Sequence, residues 1–334
     1  MTLTSCNINS AEKKDKNNAD INKSASIKNY FPFNQNYKYV YEGVGNEYAS
    51  YTVFIDYIKD NRIQTRTNNG GTETVRVLEN SNGELKEILS RGETYFRENF
   101  TGAKNDGGEI LLKEPLVKGT SWTTGNNIKK SITNVDIDTT TPLGTFKTLE
   151  VTSEENGNKT VNYYAKDMGL IKTVYISDGY EVTSTLSKIE KDVPLIQRVR
   201  VFFPNMNADK LNYIETDISF KTNEEPKDII EESIKNLGDK NKVLSKNSKI
   251  NSLKYNESKQ MVGIDFSKEL VSEMNAGSLY ESMILQSITN TLGVYYGVDK
   301  VYITIDGKPY ESGHIMKTEG EPFMVDLKNV ENAE

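Results

Sequence analysis

The chain has one cysteine and one histidine among its 334 residues. A single cysteine excludes an internal disulfide, and the two scarcities together exclude zinc centres of the Cys/His type. Long apolar runs are also missing. No stretch approaches the roughly 20 apolar residues that a membrane-spanning helix needs. Basic residues are outnumbered, with 41 Lys and Arg against 48 Asp and Glu and a formal charge of −7, which argues against sequence-independent nucleic-acid binding. Gly43-Val-Gly45 lacks the third glycine and the following helix of a nucleotide-binding loop, so it reads as a turn. No repeat of 20–50 residues is present. Nothing here points to a cofactor, a metal or a catalytic residue set.

What is present divides the chain, and its length suits about two domains. Residues 30–190 read as an all-β antiparallel domain. Tyr37–Tyr41, Tyr51–Ile55, Thr74–Leu78, Glu84–Leu89, Thr160–Ala165, Leu170–Ile176 and Tyr180–Leu186 alternate or nearly alternate. Turn pairs such as Asn82-Gly83, Asn156-Gly157 and Asp178-Gly179 separate them. That spacing predicts a curved sheet or half-barrel. Charge and Pro194 interrupt the pattern near 188–195.

A second domain over 195–316 mixes elements, and 317–334 is expected as a C-terminal tail. Strands are expected at 197–203 and 211–220, a helix from Pro226 to Leu237, and a hairpin of 250–255 with 260–266. The run from Gly277 to Gly307 is the most informative in the chain. Ser278 and Glu281 stand at capping-box spacing. Tyr280, Ile284, Ile288 and Leu292 recur every four residues, with Ser282, Gln286, Thr289 and Asn290 opposite, which predicts one buried stripe and one wet face. Gly293 offers a stop. Val301, Ile303 and Ile305 then alternate with polar neighbours up to Asp306-Gly307. The expected fold is therefore α+β overall: the β domain, then a small α+β sandwich of mixed sheet with two helices.

These pieces resemble the GerMN domain of bacterial sporulation and spore-germination lipoproteins. The likeness covers roughly 195–310 and rests on Val199–Asn205 with its Phe-Pro-Asn exit, Val262–Ser267, the Gly277-Ser278 start, Glu281, Asn290-Thr291-Leu292, Val298, Val301 and the closing Asp-Gly. The chain departs from the family at Gly238-Asp239, where Gly-Pro is usual. The resemblance implies a non-enzymatic protein of a spore-forming Gram-positive bacterium that works through protein–protein contacts. Its implied partners are envelope or sporulation proteins, self-assembly included, and its implied surface is a sheet edge or helix face.

The N-terminus fits that picture. Leu3-Thr4-Ser5-Cys6 matches a lipobox, which makes Cys6 the expected lipid-attachment residue. The basic and apolar segments of a signal peptide do not precede it, as expected of a start that has lost most of that peptide. Residues 7–29 are rich in Asn, Lys and Ser and read as a disordered tether. The expected location is the extracytoplasmic face of the cell membrane, held by lipid.

Several residues admit a second reading. Tyr295-Tyr296, expected between helix and strand, form a candidate contact surface, though turn packing accounts for them as well. Tyr39, Tyr41, Tyr163 and Tyr164 could stack on sugar rings, but aromatics also suit pleated sheets. The alternative function is thus a lipid- or glycan-binding envelope module. Peptidoglycan hydrolysis stands behind it, since it needs only two carboxylates at fixed separation. His314 reads as an exposed loop residue.

Overall fold

The structure, a computed structural model, describes residues 25–125, 127–238 and 241–333. Cys6 and most of the expected tether lie outside the described residues, as does Asp239. The chain divides into two compact units. The first holds the residues up to Thr94 and Phe100–Val193; the second holds Tyr95–Asn99 and everything from Pro194 onward.

The first unit begins with a helical turn, α1 (Ile27–Tyr30), and continues with twelve strands. These are β1 (Tyr37–Val44), β2 (Tyr51–Lys59), β3 (Arg62–Asn68), β4 (Glu73–Ser81), β5 (Glu84–Arg91), β6 (Glu109–Lys113), β7 (Ser121–Thr123), β8 (Lys129–Thr141), β9 (Gly144–Glu155), β10 (Asn158–Ala165), β11 (Gly169–Ser177) and β12 (Tyr180–Lys191). Among the described residues they form one antiparallel sheet in the order β6-β5-β4-β3-β2-β1-β12-β11-β10-β9-β8-β7. Both residues of Asn82-Gly83, Asn156-Gly157 and Asp178-Gly179 have positive φ, the backbone of type I′ hairpin turns, whose twist matches that of the flanking strands.

Register shifts at Val40/Tyr41, Ile55/Tyr57, Val77/Leu78 and Tyr163/Tyr164 add local twist and curl the sheet. The curl brings its two ends together. Trp122 on β7 donates Nε1–H to the carbonyl of Ile110 on β6 at 3.0 Å, and Lys130 on β8 pairs with Glu109 on β6. The barrel is nearly closed by side chains rather than by a backbone ladder. Leu85, Leu112, Ile132, Ile171 and Leu186 supply its buried core.

The tether ends earlier than its composition suggests. Ile27 is fully buried, its N–H donates to a Glu114 carboxylate oxygen at 2.8 Å, and the Asn29 carbonyl accepts from Asp167 N–H at 2.6 Å. A single well-placed isoleucine outweighs the polar bias of its neighbours.

The second unit contains β13 (Leu195–Asn205), β14 (Lys210–Phe220), α2 (Pro226–Lys235), β15 (Ile250–Asn256), β16 (Met261–Phe266), α3 (Glu269–Ser272), α4 (Ser278–Tyr296), β17 (Lys300–Ile305), β18 (Lys308–Pro309), β19 (Phe323–Met324) and β20 (Val330–Asn332). The expected single mixed sheet is two sheets. One runs β13-β14-β20, with β20 parallel to β14; the other runs β15-β16-β17-β18, with β16 parallel to β17 and β19 also paired to β17. Parallel neighbours need a long crossover, and α4 supplies the one between β16 and β17. α4 touches β13 and β14 of one sheet and β16, β17 and β19 of the other. Among the described residues no helix is long and apolar enough to cross a membrane.

Being packed on two sheets changes what α4 must be. Its expected wet face survives only in part: Ser282 is exposed and Gln286 half-buried, but Thr289 and Asn290, with Ser287 and Thr291, are as buried as Ile288 and Leu292. Buried polar groups need partners. The Ser287 and Thr289 hydroxyls donate to the carbonyls of Met283 and Leu285, both at 2.8 Å. Thr291 Oγ1 accepts from the N–H of Phe202 on β13 at 3.0 Å. The helix also passes Gly293 and ends at Gly297, which takes the left-handed conformation at φ 66°.

The expected C-terminal tail is a strap across this helix. Asn290 donates to the Asp326 carbonyl at 2.6 Å and accepts from the Asp326 N–H at 3.0 Å. Gln286 donates to the Met324 carbonyl at 3.0 Å. A Cβ on Gly293 would come within 2.1 Å of Val325 Cγ2 and 2.8 Å of the Val298 carbonyl oxygen, so only glycine permits the approach.

Candidate functional site

The curled sheet of the first unit encloses a cavity of about 510 Å³, within the roughly 300–1,000 Å³ usual for small-ligand sites. The alternation of each strand puts one set of side chains inside. β1 contributes Tyr39 and Tyr41; β2 contributes Tyr51, Val53 and Ile55; β3 contributes Ile63, Thr65 and Thr67. Arg76 and Leu78 come from β4, Glu87 from β5, Glu109 and Leu111 from β6, and Asn162 and Tyr164 from β10. Phe31, just after α1, and Met168 complete the lining.

Two wall types result. One is aromatic and aliphatic. Tyr41 and Tyr51 stack with centroids 4.4 Å apart, and the Tyr41 hydroxyl donates to the Leu170 carbonyl at 2.7 Å. The other wall carries charge. Glu87 and Glu109 sit opposite each other on neighbouring strands, with Arg76 Nε 3.2 Å from Glu87 Oε2 and Lys130 paired to Glu109. Burial pushes the Glu87 carboxyl up, Arg76 works against that, and Glu109 adds to it. Burial also raises the phenols of Tyr41, Tyr51 and Tyr164, so all three stay protonated donors at neutral pH.

The chemistry this arrangement supports is binding. Acid–base cleavage of a glycosidic bond needs two carboxyl groups flanking the bond. Glu87 and Glu109 are cross-strand neighbours on one wall, and each already faces a cation.

The residues singled out from the sequence lie elsewhere, with the exception of Tyr39, Tyr41 and Tyr164; Tyr163 does not line the cavity. Ser278 and Glu281 do not form a capping box. The N-cap is Gly277, without a side-chain cap bond, and Ser278 is the first helical residue. Glu281 turns inward, 3 % exposed, and accepts from the hydroxyls of Tyr310, at 2.8 Å, and Ser312. Burial first and then the Glu281 carboxylate push the Tyr310 phenol up. The Ser312 hydroxyl in turn accepts from the N–H groups of His314 and Ile315, both at 3.1 Å, so this cluster fixes a loop on which His314 is exposed.

Tyr295 and Tyr296 are not an exposed loop pair. They form the last turn of α4, and Tyr296 is 3 % exposed. Their role is to receive Tyr95–Asn99. Phe96 packs on Tyr255 and Tyr296 at centroid distances of 4.9 and 5.0 Å. The Tyr295 hydroxyl accepts from Arg97 N–H at 3.1 Å and donates to Gln197 Oε1 at 2.7 Å. Arg97 donates to the carbonyls of Lys221 and Glu224 and lies over the Phe220 ring. Asn290 and Thr291 brace the strap and β13, and Leu292 is fully buried.

Residues 200–311 match the family model described as Germane, sporulation and spore germination. The C-terminal part of the chain thus carries the GerMN-type domain that its motifs resemble. Among solved structures, the chain is similar to the tandem GerMN domains of the sporulation protein GerM from Bacillus subtilis, at 18% identity and TM-score 0.26, over 40% of this chain and 46% of that one. It is similar to an exported protein with a YmcC-like fold from Bacteroides fragilis at 12% identity and TM-score 0.29, over 48% of this chain and 99% of that one. A Clostridium perfringens protein described as a lipoprotein matches at 16% identity and TM-score 0.25, over 40% of this chain and 88% of that one. No curated protein matches the chain.

Proposed function

We propose that this protein is a non-enzymatic lipoprotein on the extracytoplasmic face of the cell membrane, acting in sporulation or spore germination through protein–protein contacts. The match of residues 200–311 to the Germane family carries the reading. Cys6 is the attachment residue in this proposal, and two acyl chains suffice for stable anchoring at about 0.8 kcal/mol per buried CH₂. The partners are envelope or sporulation proteins, including other copies of this chain. Because α4 is enclosed by two sheets and a strap, contacts fall to the sheet edges and to the outward side of α2, where Asp228 and Glu232 are exposed.

Deletion of the gene in its host, with spore formation and germination scored separately, tests the role. A defect in one of the two is expected; normal spores that germinate normally refute it. Radiolabelled fatty acid should be incorporated into the precursor and lost on Cys6→Ala. Label retained by that variant moves the anchor elsewhere. The alternative reading, a ligand-binding envelope module, is favoured by one observation, the cavity of the first unit.

A further inference from the structure

We infer that the cavity of the first unit is a binding site for a neutral saccharide. Its lining separates this ligand from an acyl chain on three grounds. The first is unspent hydrogen-bonding capacity. Tyr164 is only 4 % exposed, yet its hydroxyl has no hydrogen-bond partner among the described residues, and the Tyr51 hydroxyl has none either. Both hydroxyls open on the cavity, where a ligand hydroxyl can replace the water that bonds them, whereas a hydrocarbon would displace that water and leave them unpaired. The second is charge balance. Arg76 is committed to Glu87 and Thr67, and Lys130 to Glu109. Each lining carboxylate has its cation, so no positive charge is left over for a carboxylate or phosphate head group. A neutral ligand meets no net charge. The third is shape chemistry. Phenol rings present flat apolar faces with a polar tip, as the two sides of a sugar ring do, and Thr65, Thr67 and Asn162 add further polar groups to the same lining.

The inference does not rest on the sporulation role. A spore phenotype without saccharide binding sinks this proposal alone, and binding without a phenotype sinks only the other.

Calorimetric titration of the folded protein with chitotetraose, maltotetraose and cellotetraose, and separately with sodium laurate below its micelle concentration, tests it. At least one tetrasaccharide is expected to bind at one site with Kd below about 1 mM. Tyr164→Phe and Tyr51→Phe keep the rings and remove the hydroxyls. Each is expected to weaken that binding at least tenfold without lowering the melting temperature. Laurate binding with no saccharide binding overturns the inference, as does the absence of any binding. Affinity unchanged in both tyrosine variants overturns the placement of the site. Chromatography of the incubated sugars completes the test, since shortened products would make the site catalytic rather than a binding site.

Discussion

Replacing Asn290 by alanine tests the account of the C-terminal strap most directly. Asn290 is fully buried and holds both backbone groups of Asp326, donating to the carbonyl and accepting from the N–H. Removing it deletes two bonds worth about 1 kcal/mol each, and leaves a backbone donor and acceptor to find water, a further cost of up to about 1 kcal/mol at a partly open position. The local opening free energy of the strap should fall by about 2–3 kcal/mol. That corresponds to a rise of roughly 30- to 150-fold in the opening constant, since 1.4 kcal/mol is about tenfold. Amide hydrogen exchange resolved at residues 320–333 reads it, and the Asp326 and Val325 amides should lose protection by that factor. The Gln286→Ala variant removes one bond to the strap, at an exposed carbonyl, and should lose about 0.5–1.5 kcal/mol. Protection at Asp326 unchanged in Asn290→Ala, with the helix itself still protected, refutes the strap as described.

Four further outcomes follow from the same geometry. Gly293→Ala should destabilise the second unit by about 1–3 kcal/mol through overpacking against Val325, visible as a lower urea midpoint; a neutral effect contradicts the close approach. Thr291→Val keeps the shape but orphans the Phe202 N–H, and should cost about 1–3 kcal/mol, whereas Thr291→Ser should recover most of it. Ser278→Ala should stay within about 0.5 kcal/mol, because no cap bond depends on that side chain; a loss near 1 kcal/mol would restore the capping box. Burial pushes the Glu98 carboxyl up to about 7, against the Tyr255 N–H and Lys254 and together with Glu225. A raised folded value means that this contribution is fully present below the unfolded value of about 4.3 and is lost as pH rises through about 7. Stability of the second unit should therefore decline by about 3–4 kcal/mol across that window. Glu98→Gln should flatten the decline, and an unchanged slope in urea melts at successive pH values counts against it.

Much of the β architecture was legible because period-two alternation and Asn-Gly or Asp-Gly pairs coincide at the hairpins. β3 escaped notice for a physical reason. Gln64 and Arg66 point into a buried polar network with Asp56, so the strand shows no apolar alternation. β8 and β9 were hidden by threonines that bond one another across the pair, as Thr139 and Thr148 do at 2.7 Å. In α4 the apolar period was real, but burial by two sheets cannot be read from period alone when the polar residues find internal partners. The strap was illegible because β19 and β20 are two and three residues long. The cavity was only partly foreshadowed, by Tyr39, Tyr41 and Tyr164. Its other residues come one or two at a time from several strands, and Arg76, Glu87 and Glu109 acquire meaning only once the sheet curls.

The Germane match ends at residue 311, but the second unit does not. It takes Phe96 into its core from well before the matched region and adds Val330–Asn332 to the edge of a sheet from beyond it. Pairings so far apart in sequence are slow to form, because loop closure is spent before contact rewards it. The second unit therefore stays incomplete until segments on either side of the matched region have both docked, and its partly folded state is open to chaperones and proteases for that long.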